Sequence, residues 1–339
     1  MTLFRAARER DSPETRVSRE AGGRKTFHGV LLAILLVLVF LPPYLGLFWQ
    51  TLLTEILVWG LFAMSFDLLY GYAGLLSFGQ SVFFGMGVYG VALSIHWFDV
   101  GIWTALAAGW ALALVFGWVI GFFAVRVGTA GFIILTALMS VVFHLIANNW
   151  QNVTGGDAGI PFTAPPLRLG LWTFSLTHPL TGYYFALSFV SLAFLTLRWL
   201  VGSKRGRVIE AIRENEDRAT LLGYNVRRER FWAFVLAGFF AGIAGSLYST
   251  AVDRFANQDF FHWFVSGDAV IWTLLGGAGT LVGPVLGTGI LLVFKDYLSS
   301  WWPMGYPIVV GALMLAVVMF APQGILGVAR RRIRGRWKL

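Results

Sequence analysis

Apolar runs of about twenty residues recur along the chain, separated by short polar or glycine-rich interruptions. A hydrocarbon core about 30 Å thick takes about 20 helical residues to cross. On that ruler, the runs at 29–49, 52–70, 73–96, 103–125, 129–149, 180–201, 231–252 and 306–322 predict about eight full transmembrane helices. The pattern is that of an all-α polytopic membrane protein with two places where the spans are broken. The apolar stretch from Phe264 to Phe294 is one of them: about 30 residues make about 45 Å of helix, too little for two full crossings. It predicts two short helices dipping in and out, broken near Gly276-Gly277-Ala278-Gly279. One full span plus a re-entrant piece is the alternative. The second break runs from Gly71 to Gln80 and is followed by Gly85, Gly87 and Gly90, where small residues let helices approach or unwind. Two glycine-interrupted hydrophobic segments in corresponding places point to a transport pathway.

Between two apolar runs lies one dense block of charge, Gly202 to Arg230. Its stretch from Arg207 to Leu222 has no proline or internal glycine and predicts a short helix closed at Gly223 by a left-handed residue. Val208, Ile209, Ile212, Ala219 and Leu222 recur at roughly helical spacing, while Glu210, Arg213, Glu214, Asp217 and Arg218 cover the remainder. The segment therefore has one apolar face to dock.

Composition and charge sharpen this picture. The chain is 57% hydrophobic and 13% charged, with a net charge of +9. Its Lys and Arg residues crowd into the N-terminal tail, the 202–230 block and the C-terminal tail, while the 150–179 loop carries only Arg168. That asymmetry reads as positive-inside topology rather than nucleic-acid binding. It divides the chain into a cytoplasmic tail (1–28), a membrane domain (29–327) and a basic cytoplasmic tail (328–339), with both termini and the block inside. The N-terminus has no small-residue cleavage site before Pro42-Pro43 and is read as retained. The absence of cysteine removes disulfides and thiolate chemistry, and five scattered histidines form no metal motif. No P-loop, Rossmann fingerprint or nucleophile elbow occurs, so no enzyme activity or cofactor is expected on this chain. If ATP drives transport, another subunit binds it.

Polar residues at membrane depth are costly and usually face the protein interior. Asp67, Ser77, Gln80, Asp268 and His144 stand out on that ground. Asp67 and Asp268 each precede a glycine-rich break and are read as acceptors for its freed amides, or as ion-coupling groups if the chain works alone as a secondary carrier. Glu55 and the Lys295-Asp296 pair are placed near membrane interfaces, solvated or paired. In the loop, Thr154-Gly155-Gly156-Asp157-Ala158-Gly159 forms a turn whose aspartate is available to a substrate or a docking protein.

Several stretches together resemble the permease subunits of ABC importers of the branched-chain amino acid type, in particular the LivM-like subunits. They are FDLLYGYAGLLSFGQSVFFGMGVYG (66–90), TGGDAGI (154–160), GRVIEAIRENEDRATLLGYNV (206–226), FVLAGFFAGIAGSLYS (234–249), LLGGAGTLVGPVLGTG (274–289) and APQGILG (321–327). The resemblance covers about Leu52 to Gly327. It implies that 202–230 is a cytoplasmic coupling segment between two halves of a permease domain, seated on an ATPase subunit, with Glu210, Ala211 and Gly223 matching the family's loop motif and Arg213 and Arg218 beside them. Gly74, Ser77 and Gln80, Thr154 to Asp157, and Asp67, Asp268, Gly276 and Gly277 become candidate pathway residues. The implied partners are a LivH-like second permease subunit, two ATPase subunits carrying ATP and magnesium, and a soluble solute-binding protein, in a bacterial inner membrane. Branched-chain or other amino acids are the implied cargo, with urea, short amides or aromatic acids as the alternative.

Overall fold

The computed structural model describes residues 35–169 and 172–302, together with positions 29, 33, 305, 308, 309, 311, 312, 315, 319 and 324–327. Both tails, 1–28 and 328–339, and most of the span expected at 306–322 lie outside the described residues. The chain divides into two compact units, 1–50 and 51–339.

In the first unit, residues 35–40 are helical and end in a 3-10 turn, Pro42–Tyr44. The Gln50 carboxamide donates to Pro42 O at 3.2 Å and to Leu45 O at 2.9 Å, pinning that turn. The single span expected over 29–49 is therefore interrupted, because two consecutive prolines lack the amides a helix interior needs. The next helix, α1 (Leu47–Asp67), starts earlier than the expected residue 52 and continues through a π-helical turn, Leu68–Tyr72.

After α1 the chain leaves helical geometry until α2 (Gln80–Phe98). The expected span at 73–96 thus begins late, since Gly74 takes φ +71° and the backbone at 73–79 is spent on turns. The following helices are α3 (Ile102–Ala124), α4 (Thr129–Asn149) and α5 (Pro179–Gly202). The charged block forms α6 (Lys204–Glu214) and α7 (Glu216–Leu221), and then α8 (Val226–Leu247) runs on through a π-helical turn, Tyr248–Val252. Last come α9 (Trp263–Gly276) and α10 (Val282–Trp301). Among the described residues, seven helices are long and apolar enough to cross a membrane. The two helices expected within 264–294 are unequal. α9, with 14 residues, spans only about 21 Å, whereas α10, with 20, is long enough to cross.

Burial separates these helices into a centre and a periphery. In α1, α2 and α8, 83%, 72% and 72% of the most apolar window is buried, against 33%, 22% and 33% in α3, α4 and α5. The peripheral helices show Trp118, Phe122, Leu138, Val142, Leu192 and Leu195 to their surroundings, as helices facing lipid should. Close backbone approach builds the centre. A side chain at Gly87 would overlap the carbonyl of Gly242, and one at Gly245 would overlap the carbonyl of Phe84. Ser246 Oγ exploits the same proximity by donating to Gly87 O at 3.2 Å. Phe83 and Phe234, both fully buried, meet edge-to-face at 5.3 Å alongside.

The bundle has two distinguishable ends. At one lies the charged block. At the other, β1 (Ile160–Pro161) of the 150–179 loop pairs antiparallel with β4 (Phe255–Ala256), and β2 (Leu167–Leu169) pairs with β3 (Trp172–Phe174) as a hairpin. Asp157 Oδ1 accepts from Gln258 Nε2 at 3.0 Å beside the first of these pairs.

Candidate functional site: the junction of two broken segments and the charged block

Three capping side chains shape the block. Ser203 Oγ accepts from Gly206 N at 3.2 Å, Asn215 Oδ1 from Arg218 N at 2.8 Å, and Asn225 Oδ1 from Arg228 N at 3.1 Å. Each satisfies an amide left over at a helix start. The single helix expected over Arg207 to Leu222 is therefore two helices broken at Asn215, with Glu216 and Asp217 in the first turn of α7, where the helix dipole favours acids. Gly223 does take the left-handed conformation, φ +86°. Ile209, Ile212, Ala219 and Val226 turn inward, but Leu222, expected on that face, is 71% exposed, and Leu221 beside it is 88% exposed. Glu210, Ala211, Glu214 and Arg218 are exposed as well. A cleft of about 290 Å³ opens among Ala211, Glu214, Asn215, Arg218, Ala219, Leu222 and Tyr224. Arg230 closes the block with a bidentate ion pair to Glu216, at 2.9 and 2.7 Å.

Arg213 behaves differently from its neighbours. Its guanidinium Nη1 donates to the carbonyl of Gly71, in the π-helical turn that ends α1. A side chain at Gly74 would come within 2.9 Å of Arg213 Cγ, so the first break needs a glycine where the arginine stem crosses it. The second break meets the same point. Asp67, fully buried, accepts from Gly279 N at 2.7 Å and from Leu281 N at 3.2 Å. Leu281 sits at φ +55°, a conformation that a bulky residue adopts only when its surroundings fix it. The hydrogen bond that the Leu281 amide donates to Asp67 is one such constraint, and Thr280 Oγ1 accepting from Gly283 N at 2.9 Å is another. Gly277, at φ +112°, lies against Gly324. Both glycine-rich breaks and one arginine of the block thus converge on Asp67 and Gly71.

The remaining candidate residues are spread more widely. Ser77 Oγ accepts from Gly79 N at 3.2 Å and shapes the first break. Gln80 opens α2, fully buried, with neither carboxamide atom bonded to a protein group. Thr154 Oγ1 donates to Ala147 O at 2.5 Å, while Gly155 and Gly156 adopt φ +75° and +58°, so this loop is a fixed turn at the end away from the block. There His144 Nδ1 donates to Gln258 O at 3.1 Å, and its ring lies 5.3 Å from His262. Burial, helped by His144, holds the His262 imidazole below its ordinary pKa, which suits Nδ1 to accept from Phe264 N at 3.3 Å as the α9 cap. Asp268 does not reach the freed amides of the second break. It lies on the exposed side of α9, nine residues or about 13 Å before Gly277.

Fold and junction together define a multi-pass helical membrane protein built around two interrupted segments tied to one polar block. The chain belongs to the family described as "Branched-chain amino acid transport system / permease component", whose family model matches residues 49–321. It is 26% identical over 324 residues to the high-affinity branched-chain amino acid transport system permease protein LivM of Escherichia coli, covering 90% of this chain and 76% of that protein. It is also 26% identical over 287 residues to the LivH permease protein of the same system in Escherichia coli, covering 79% and 91% respectively. A probable LivM of Methanocaldococcus jannaschii is 26% identical over 210 residues, covering 57% and 59%. No solved structure matches the chain significantly.

Proposed function

We propose that this chain is the membrane-spanning permease subunit of an ATP-driven importer of branched-chain amino acids, working beside a second, LivH-like permease subunit. ATP and magnesium belong to ATPase subunits, and a soluble binding protein delivers the solute. The 202–230 block and both termini face the cytoplasm, a placement supported by the density of Lys and Arg there and the single Arg168 in the 150–179 loop. The observation that carries this reading is the two-sided character of the block. Its outward side, with Glu210, Glu214, Arg218, Leu221, Leu222 and the cleft, is free to seat a partner, while Arg213 reaches inward to Gly71. Movement of a seated ATPase would then be passed by Arg213 to both broken segments at once.

The test uses the whole transporter purified through a tag on an ATPase subunit. E214K with L222D, both in the cleft, should remove this chain from the purified complex. R213M should leave it there and lower ATP-dependent leucine uptake at least tenfold. Co-purification unchanged by the first pair would refute the docking face, and normal uptake by R213M would refute the transmission.

A further inference from the structure

Three ionisable side chains outside the junction lie on three neighbouring helices of the bundle, Glu55 on α1, Asp268 on α9 and Lys295 on α10. Trp59 on α1 and Trp272 on α9 meet with ring centroids 5.4 Å apart. Both helices run from the end away from the block toward the junction, because α1 ends at Gly71 and α9 ends at the second break. Glu55 precedes Trp59 by four residues and Asp268 precedes Trp272 by four. Four residues of helix rise about 6 Å, so the two carboxylates stand at one level, about a turn farther from the junction than the tryptophans. Helix α10 runs the other way past them. Val285 packs on Gly60, and Ile56 lies 3.4 Å from where a side chain at Gly289 would stand, so the next turns of α10 carry Lys295 past Glu55. Lys295 is near enough to act electrostatically on both Glu55 and Asp268, and Asp296, the next residue of α10, acts on Glu55 as well.

Two features separate this trio from a structural ion pair. Asp268 and Lys295 are exposed and Glu55 is half-buried, so none of the three is sealed inside the bundle. Nor are they in contact: among the described residues, the ion pair within 4.0 Å is Arg230 with Glu216. Ionisable groups within apolar helices also usually face the protein interior or a water-filled cavity rather than lipid. We propose that Glu55, Asp268 and Lys295 form a head-group site for a zwitterionic α-amino acid on its way through the permease. The two carboxylates take the ammonium group, Lys295 takes the carboxylate, and Trp59 and Trp272 form an apolar floor between this site and the junction. The inference rests on the importer reading and names the residues that would meet its cargo.

The test is ATP-driven uptake of radiolabelled leucine by the complete transporter in vesicles, with the binding protein supplied. E55Q, D268N and K295Q should each lower uptake at least tenfold, while the complex still assembles and melts within about 2 °C of the wild type. Uptake within twofold of wild type in all three overturns the site. So does restoration of uptake by the exchange E55K with K295E, which would mean that the groups serve each other rather than a solute. Loss of assembly together with uptake overturns it too, by assigning them a structural role. A wild-type complex that imports no leucine, or imports it without ATP, strikes the importer reading instead.

Discussion

Removing the Asp67 carboxylate should unfasten the second break. In Asp67→Ala the amides of Gly279 and Leu281 lose acceptors now at 2.7 and 3.2 Å, in a place where Asp67 itself has no exposed surface. A hydrogen bond to a charged acceptor contributes about 1.5–3 kcal/mol, and an orphaned buried donor costs about as much. Two bonds of unequal length therefore put the loss at roughly 3–5 kcal/mol. Asp67→Asn keeps one acceptor oxygen but turns an NH2 toward the other amide, so about half of that loss is expected. Gly71→Ala supplies an independent route to the same damage, because its new side chain would overlap both Asp67 Oδ1 and Gly279 N. The assay is the apparent melting temperature of the purified complex in detergent, followed by ATP-driven uptake. Asp67→Ala and Gly71→Ala should each lower the melting temperature by several degrees, and the double variant should fall well short of their sum, since both break one junction. Full additivity, or an Asp67→Ala protein that melts within a degree of wild type, would refute the account of the junction.

Other parts of the molecule make separate predictions. Gly87→Ala and Gly245→Ala should each reduce the yield of folded protein severely, because their side chains would overlap main-chain carbonyls, whereas Gly117→Ala, whose nearest neighbour would be 3.7 Å away, should be nearly neutral; detergent-extracted yield and melting temperature read both. His262 has a pKa below its ordinary value when folded, so as the pH falls through that ordinary value the unfolded chain takes up the proton first and stability declines. His262→Asn keeps a capping side chain without that titration, so its melting temperature should vary less between pH 7.5 and 5.5 than that of the wild type. Glu216→Gln removes the ion pair to Arg230, which lies at an exposed site, and should change stability by less than about 1 kcal/mol, measured in the same melting assay.

The hydrophobic ruler located α3, α4 and α5 to within a residue or so because lipid thickness constrains length directly, but it took α10, a helix long enough to cross, for one of two short pieces within 264–294. It failed where the backbone departs from regular helix for reasons that composition does not carry. Gln80, rather than residue 73, starts α2 because turns at 73–79 consume the chain. Asn215 splits the block although no glycine or proline marks it. The signal was present, an Asn followed by Glu216 and Asp217, but the helical spacing of the apolar residues outweighed it. The junction was half legible. Asp67 could be recognised as an acceptor for freed amides, but not that those amides belong to the other break, more than two hundred residues away. The proposed grouping of Glu55, Asp268 and Lys295 was hidden for the same reason: Asp268 stood out at membrane depth, but Glu55 and Lys295 look like ordinary interfacial charges until three helices are set side by side.

The reach of Asp67 also sets an order of events during synthesis. Its carboxylate closes on an amide 212 residues downstream. At about 5–20 residues per second, α1 waits roughly 10 to 40 s in the bilayer with a buried acid and without the amide donors that satisfy it in the finished fold. Over that interval α2 to α9, the charged block among them, are made before the ring can close. A chain that stops before Gly279 therefore leaves an open mark of incompleteness in its core, at the place a quality-control protease that recognises unpaired charge in lipid would look first.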